Sequence, residues 1–212
     1  MSSSAGTIMW LRIEPKNRAC CHIYLDDTLW GTLPVRVLQA LYPRDHQGEI
    51  TAVEGDALIR LLQQEAVRLL QDYLSLAEHS SFQCRNLLRR RNFHASLIDT
   101  ALDRCRENGY LDDSRFAELL IRSYLNRSSS RRAIIAKLRN HQIGASIWEP
   151  LLAELYDKDE AAGHLKELMQ KYCVRHRELP RPKLKEKVFN HLFRKGFEVE
   201  DIMVAWEESG IR

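Results

Sequence analysis

Three segments of the chain carry the same order of apolar and basic residues, and this internal repeat limits the possible folds more than any other feature. The segments are LRRRNF at residues 88–93, LRNHQI at 138–143 and LFRKGF at 192–197, and successive copies are 50 and 54 residues apart. Further apolar residues follow each copy at matching positions: Ile98, Ala101 and Leu102; Trp148, Leu151 and Leu152; Ile202, Ala205 and Trp206. This spacing is typical of a buried helix face, so each copy is expected to be two helices joined by a tight turn.

The first two copies continue into a third helix, which is predicted to begin at Asp112 in the first copy and at Asp157 or Asp159 in the second. A three-helix unit of about 50 residues buries too little apolar surface to be stable alone. We therefore expect a mainly α-helical protein whose tandem three-helix repeats stack into an elongated, curved array. The expected repeats are residues 80–127, 128–174 and a partial third repeat at 175–212.

The N-terminal region, residues 1–79, is expected to form a small β-ribbon followed by helices. Apolar-rich runs at residues 8–13 and 20–25 and a turn at 26–28 predict two or three antiparallel strands. A short helix should follow Pro34 and end at Pro43. Thr51 and Glu54 have the capping-box spacing that opens a longer helix. Its apolar stripe, which includes Leu76, predicts an end near Ala77.

A helix is predicted to begin shortly after each tight turn. Ser96 with Asp99, and Ser146 with Glu149, have the spacing of an N-cap residue and an acid in the first turn. Glu200 holds the equivalent position in the third copy and is a poorer cap. Trp148 and Trp206 fall on apolar positions of the repeat, so we expect both to be core residues.

Composition narrows the protein class. The chain has 9 glycines and 6 prolines in 212 residues, which favours helix over collagen-like or disordered structure. No window reaches the roughly 18 uncharged apolar residues of a membrane span, and the N-terminus lacks a signal-peptide pattern. The five cysteines are an odd number without framework spacing, so reduced thiols are expected. These features predict a cytoplasmic protein that does not associate with membranes.

Positive charge is concentrated in the middle of the chain. The whole sequence has a net charge of +3, whereas residues 80–140 have +7, residues 1–79 have −3 and residues 141–212 have −1. An anionic partner would therefore bind the middle segment, although basic residues near helix C-termini also stabilise the helix dipole. The candidate partner-contacting residues are Arg85, Arg89, Arg90, Arg91, Arg115, Arg122, Arg127, Arg131, Arg132, Lys137, Arg139, Arg194 and Lys195. For Arg115 and Arg122, pairing with Asp112 and Glu118 is an equal alternative.

The segment from the first copy into its third helix resembles the RecX family of recombinase regulators. The resemblance is specific over residues 105–122, extends more weakly over about 80–206, and centres on the run GYLDDSRFA at residues 109–117. Asn92 and Ser128 to Ser130 stand where the family has glycine, and Asn tolerates the left-handed backbone that such a turn requires. Scaffold positions in this resemblance and in the repeat are Gly109, Tyr110, Leu111, Asp112, Asp113, Phe116 and Trp148.

This resemblance implies a non-enzymatic regulator that binds the RecA recombinase filament on single-stranded DNA. It implies inhibition of the filament's ATPase activity, strand exchange and growth, and no cofactor. Direct contact with single- or double-stranded DNA stays open, as does the choice between capping filament ends and coating the groove. The oligomeric state is open as well, with a monomer favoured.

Other function classes find less support in the sequence. Phosphate-binding loops and the common hydrolase and metalloprotease motifs are absent, so no catalytic residue is expected. Cys20, Cys21 and His22 are adjacent on a predicted strand and point to alternating faces, so no metal site is expected. A helix-turn-helix DNA-binding protein is the principal alternative, and a generic helical-repeat adaptor is another. The DNA-binding alternative is disfavoured by the position of the arginines, which lie at the end of the first helix of the pair. Residues that contact base edges in a helix-turn-helix protein lie at the start of the second helix.

Overall fold

The structure is a computed structural model that describes residues 8–210. The chain forms two compact units, the first ending at Asp112 and the second beginning at Asp113. All strands of the described residues lie in the first unit, and helices occur in both. The prediction of a mainly helical protein with a small N-terminal β element is confirmed.

A four-stranded antiparallel sheet opens the first unit. Its strands are β1 (Ile8–Pro15), β2 (Cys20–Leu25), β3 (Thr28–Pro34) and β4 (His46–Thr51), in the spatial order β3-β2-β1-β4. Alternate residues of β1 and β2 are buried, as in a sheet with one face on the core. Asp26 and Asp27 both have positive φ, which is the conformation that a tight two-residue hairpin turn requires.

Strand β4 corrects the prediction of only two or three strands. Only Ile50 among its six residues is buried, so the strand lacks the apolar alternation by which strands are recognised in a sequence. Its place is fixed by antiparallel pairing with β1, in which Ile50 lies opposite Met9. A polar edge strand of this kind becomes visible only in the folded sheet.

Four helices complete the first unit: α1 (Val35–Leu38), α2 (Ala52–Leu74), α3 (Ser81–Arg90) and α4 (Ala95–Glu107). The predicted capping box is confirmed, because Thr51 and Glu54 exchange side-chain and backbone hydrogen bonds. Helix α2 ends three residues before the predicted Ala77, and Leu76 beyond it is 82% exposed. The hydroxyl of Ser75 donates to the Asp72 carbonyl oxygen and satisfies a carbonyl of the last turn.

Six helices form the second unit: α5 (Asp113–Leu125), α6 (Arg131–Asn140), α7 (Ala145–Leu155), α8 (Lys158–Arg175), α9 (Arg181–Arg194) and α10 (Val199–Glu208). One hydrophobic cluster contains Trp148 and joins α5, α6 and α7. A second cluster contains Trp206 and joins α8, α9 and α10. In both clusters, the two helices of a repeat copy pack with the helix that precedes them: α6 and α7 with α5, and α9 and α10 with α8. The boundaries expected from the sequence instead place each pair with the helix that follows it.

The three tight turns of the repeat have the same backbone geometry. Asn92, Gln142 and Gly196 stand at equivalent positions and have φ values of 64°, 55° and 89°. The leucine before each turn and the apolar residue after it are buried in all three copies. The prediction that Asn92 can replace a turn glycine is confirmed. Ser128, which belongs to the serine run that stands where the family has glycine, also has positive φ.

The predicted N-caps at Ser96 and Ser146 are wrong by two residues. Helix α4 begins at Ala95 with His94 as its N-cap, and α7 begins at Ala145 with Gly144 as its N-cap. The side chain of His94 accepts from the Ser96 backbone N–H and also bonds the Ser96 hydroxyl, at 2.8 Å. The tight turn passes directly into the helix, so the first serine already lies in the first helical turn.

The run GYLDDSRFA joins the two units along the chain. Gly109 follows the C-cap of α4 and has a φ of 71°, and Leu111 is buried in the core of the first unit. Helix α5 begins at Asp113, directly after Asp112, and buries Phe116. Tyr110 is about half exposed and is not a core residue.

Candidate partner-binding site

The C-terminal end of α3 presents three consecutive arginines, Arg89, Arg90 and Arg91, which we call the α3 arginine cluster. They follow the fully buried Leu88, and all three are exposed. Among the ion pairs of residues 8–210, none includes a member of this cluster. The carboxyl end of the helix dipole favours cations there, yet the guanidinium groups remain available to an anionic partner.

Arg85 lies one turn before the α3 arginine cluster and has a different environment. Its guanidinium Nη1 is 2.6 Å from the Asp99 carboxylate on α4, and its side chain is partly buried. This ion pair holds the two helices of the repeat against each other. The sequence predicted Arg85 and the cluster as one group of partner contacts, and the structure separates Arg85 from it.

Helix α6 carries the second basic group. Its N-cap is the buried Ser130, and Arg131 and Arg132 occupy its first turn. Lys137 and Arg139 lie in the last turn, and all four basic side chains are exposed. Arg131, Arg132 and Arg139 line one cavity of about 710 Å³, whereas Lys137 does not.

This cavity lies between α6 and α10, and α8 also lines it; we call it the α6–α10 cleft. Its α6 wall is basic, and its α10 wall carries the carboxylates of Asp201 and Glu208 and that of Glu198, the N-cap residue of α10. The other lining residues are mostly small or aliphatic: Ile135 and Ala136 on α6, Ala161, Ala162 and Leu165 on α8, and Val204 and Ala205 on α10. Two lysines of α8, Lys158 and Lys166, also line the cleft, and Lys166 pairs with Glu208 at 2.6 Å.

Two contacts connect the N-terminal turn of α6 to the end of α9. The Arg132 guanidinium donates to the Phe193 carbonyl oxygen at 3.1 Å, and its Cζ lies 4.8 Å from the centre of the Phe193 ring. Tyr156, which follows α7 and also lines the cleft, has a pKa that is raised chiefly by burial. Arg132 therefore has a structural contact in addition to its exposed surface.

The remaining predicted residues occupy separate positions in the second unit. On α5, Arg122 pairs with Glu118 at 2.8 Å, which is the alternative that the sequence left open for this residue. Arg127 lies beside the ring of Tyr124, and Arg115 is exposed on the first turns of α5. At the end of α9, Arg194 donates to the Asn190 carbonyl oxygen, and Lys195 is exposed.

Burial, and then nearby cations, lower the pKa of two histidines near the ends of α6 and α9. Burial chiefly lowers the pKa of His191, and Lys195, Arg194, Arg175 and His176 lower it further. Burial and then Lys137 lower the pKa of His141. The neutral form of each imidazole is favoured, and His191 stacks on Tyr172 with ring centres 4.4 Å apart.

Four of the five cysteine thiols, Cys21, Cys84, Cys105 and Cys173, are buried. Within residues 8–210, no group of three or more histidine, cysteine, aspartate or glutamate residues is arranged to hold a metal ion. Burial raises the pKa of the Cys105 and Cys173 thiols, which disfavours the reactive thiolate. Over the same residues, no helix has the length and hydropathy needed to cross a membrane.

The acidic wall of the cleft was not predicted from the sequence. Glu198, Asp201 and Glu208 lie on one face of α10 together with Val204 and Ala205, at spacings of three or four residues. That periodicity was available as a signal. The acidic residues of α10 and the lysines of α8 lie outside the repeated basic positions, so the repeat alone does not indicate them.

Comparison with known proteins places these helices in a family. The family model described as "RecX, second three-helix domain" matches residues 112–152, which contain α5, α6 and most of α7. The regulatory protein RecX of Syntrophotalea carbinolica is 34% identical over 128 residues, which cover 58% of this chain and 82% of that protein. This chain belongs to the RecX family.

Other RecX family proteins are more distant in sequence and similar in fold. Regulatory protein RecX of Haemophilus influenzae is 29% identical over 138 residues, covering 64% of this chain and 89% of the relative. A crystal structure of regulatory protein RecX superposes with a TM-score of 0.66 at 23% identity, covering 95% of this chain and all of that one. The crystal structure of RecX from Lactobacillus salivarius superposes with a TM-score of 0.64 at 20% identity, covering 71% of this chain and 98% of that one. These relatives are named regulatory proteins, and the two structures share the fold.

Proposed function

We propose that this chain is a non-enzymatic cytoplasmic regulator that binds the RecA recombinase filament on single-stranded DNA. Binding lowers the filament's ATPase activity, strand exchange and growth. Membership of the RecX family supports this proposal, together with the sequence resemblance over residues 105–122. The observation that carries it furthest is the α3 arginine cluster, whose three cations have no carboxylate partner among the described residues.

The repeat supplies similar cations at related positions. Arg139 on α6 corresponds to Arg89, and Arg194 and Lys195 at the end of α9 correspond to Arg90 and Arg91. A filament presents the same subunit surface at regular intervals, so several weak contacts can form at high effective concentration. Charged contacts of this kind increase the association rate and the specificity for a partner of opposite charge.

A helix-turn-helix reader of DNA is less well supported by the start of α4. Ala95 and Ser96 are short residues, and Asp99 is occupied by its ion pair with Arg85. A helix that reads base edges would need long polar side chains on its first turns. Only the identity of the binding partner distinguishes a generic helical-repeat adaptor from a recombinase regulator.

The proposed function is tested by ATP hydrolysis of RecA recombinase assembled on single-stranded DNA. Adding the chain at increasing concentration should lower the hydrolysis rate, with most of the effect at substoichiometric or near-stoichiometric ratios to recombinase. A parallel reaction in which DNA is varied at a constant protein ratio separates binding to the filament from sequestration of free DNA. An unchanged hydrolysis rate at saturation would contradict the proposal.

A further inference from the structure

The α6–α10 cleft is large enough to receive a segment of another protein, and its two walls have opposite charge. We propose that it binds an amphipathic helix of the recombinase subunit, with acidic residues on one flank and basic residues on the other. This inference rests on the proposed function and specifies the partner surface. It concerns a different set of side chains from the α3 arginine cluster.

The charge of the walls determines which class of partner fits. Arg131, Arg132 and Arg139 on α6 attract carboxylates or phosphates equally. Glu198 and Asp201 on α10 repel phosphates and attract lysine or arginine side chains. A nucleic-acid backbone carries one sign of charge along its whole length, so it would meet repulsion from the α10 wall. A helix with two charged flanks satisfies both walls.

The uncharged lining of the cleft suits a helix rather than an extended anionic strand. Ala136, Ala161, Ala162 and Ala205 present short side chains, which allow a helix backbone to approach closely. Val204 adds apolar surface that is 54% exposed in the free chain. Burial of such surface by the apolar stripe of a partner helix is the usual basis of helix-in-groove recognition.

The cleft is formed before any partner arrives, because its walls are already joined through the fold. Lys166 on α8 pairs with Glu208 on α10, and the hydroxyl of Ser130 donates to the Lys195 carbonyl oxygen at 2.9 Å. The second contact ties the N-terminal end of α6 to the turn that precedes α10. A preformed groove reduces the conformational entropy that binding must remove.

Charge reversal on the α10 wall tests the inference with full-length chain and recombinase filaments on single-stranded DNA. Asp201→Lys removes attraction for a basic flank, so it should weaken filament binding about tenfold in co-sedimentation at moderate salt. Glu207→Lys is the matched control, since Glu207 lies on the same helix, is exposed and does not line the cleft. It should change affinity less than about twofold. Equal effects of the two variants, or tighter binding by Asp201→Lys, would overturn the inference.

Photo-crosslinking gives a second readout that does not depend on affinity. In a Cys20→Ser background, Val204→Cys carries a benzophenone probe in the cleft, and Val174→Cys carries it at an exposed position of α8 outside the cleft. The Val204 probe should crosslink to a recombinase helix with acidic and basic flanks, and the Val174 probe should not. Crosslinks to DNA, or no cleft-specific crosslink on filaments that retain the chain, would overturn the inference and leave the proposed function standing. Failure of the parent chain to bind filaments would overturn both.

Discussion

The hydroxyl of Ser130 donates a hydrogen bond to the carbonyl oxygen of Lys195, 65 residues further along the chain, at 2.9 Å. The same hydroxyl oxygen accepts from the Ala133 backbone N–H and so caps α6. One buried side chain therefore caps the start of α6 and holds the turn between α9 and α10 against it. This contact places the third copy of the repeat beside the second.

Gly196 is the residue that permits this close approach. Its φ is 89°, and a Cβ at this position would lie 2.6 Å from the Ser130 hydroxyl oxygen. Gly196→Ala should therefore lower the free energy of unfolding by about 1–3 kcal/mol, measured by urea denaturation. Gly163→Ala is the control, because Gly163 lies within α8 with open space around it. That substitution should be neutral or stabilise by up to about 1 kcal/mol. Equal losses in both variants would contradict the assigned contact.

Trp148 is the largest side chain in the cluster that joins α5, α6 and α7, and it is 4% exposed. Trp148→Ala should lower the free energy of unfolding by about 3–5 kcal/mol, because it removes buried surface and leaves a cavity. Leu119→Ala, at a half-exposed position on α5, should cost less than about 1 kcal/mol. A small effect at Trp148 in denaturant unfolding would show that the register assigned to the second repeat is wrong.

The stability of the second unit should fall in mild acid because of His191. Its pKa in the folded chain is below the ordinary value of 6.5, so the unfolded chain binds a proton more readily. The contribution of the neutral imidazole to stability is fully present above about pH 6.5 and is lost as the pH falls towards the folded pKa. Urea denaturation at about pH 7.5 and 5.5 should show a smaller pH difference for His191→Gln than for the parent chain. An equal change in the free energy of unfolding between the two pH values, in the parent chain and in His191→Gln, would contradict this assignment.

The sequence was sufficient to predict the features that repeat. Leu88, Leu138 and Leu192 are buried at equivalent positions, and Asn92 adopts the left-handed backbone of the turn. These predictions succeeded because burial and turn geometry are local consequences of residue order. The capping box of Thr51 and Glu54 succeeded for the same reason.

The features that depend on distant residues were not predicted. Strand β4 is held by pairing with β1, and its own residues carry almost no apolar pattern. The α6–α10 cleft needs α6, α8 and α10 together, so neither its acidic wall nor its lining follows from the basic residues of α6. Arg85 could not be separated from its arginine neighbours until Asp99 was placed opposite it.

The central claim is that the α3 arginine cluster contacts the recombinase filament, and filament binding by an arginine-to-alanine variant tests it most directly. The affinity of the parent chain and of the Arg89→Ala, Arg90→Ala, Arg91→Ala triple variant should be measured by co-sedimentation, with the melting temperature of each recorded alongside. We expect the triple variant to lose affinity at least about tenfold and to keep a melting temperature within about 2 °C of the parent. Unchanged affinity, or a large fall in melting temperature that accounts for the loss, would contradict it.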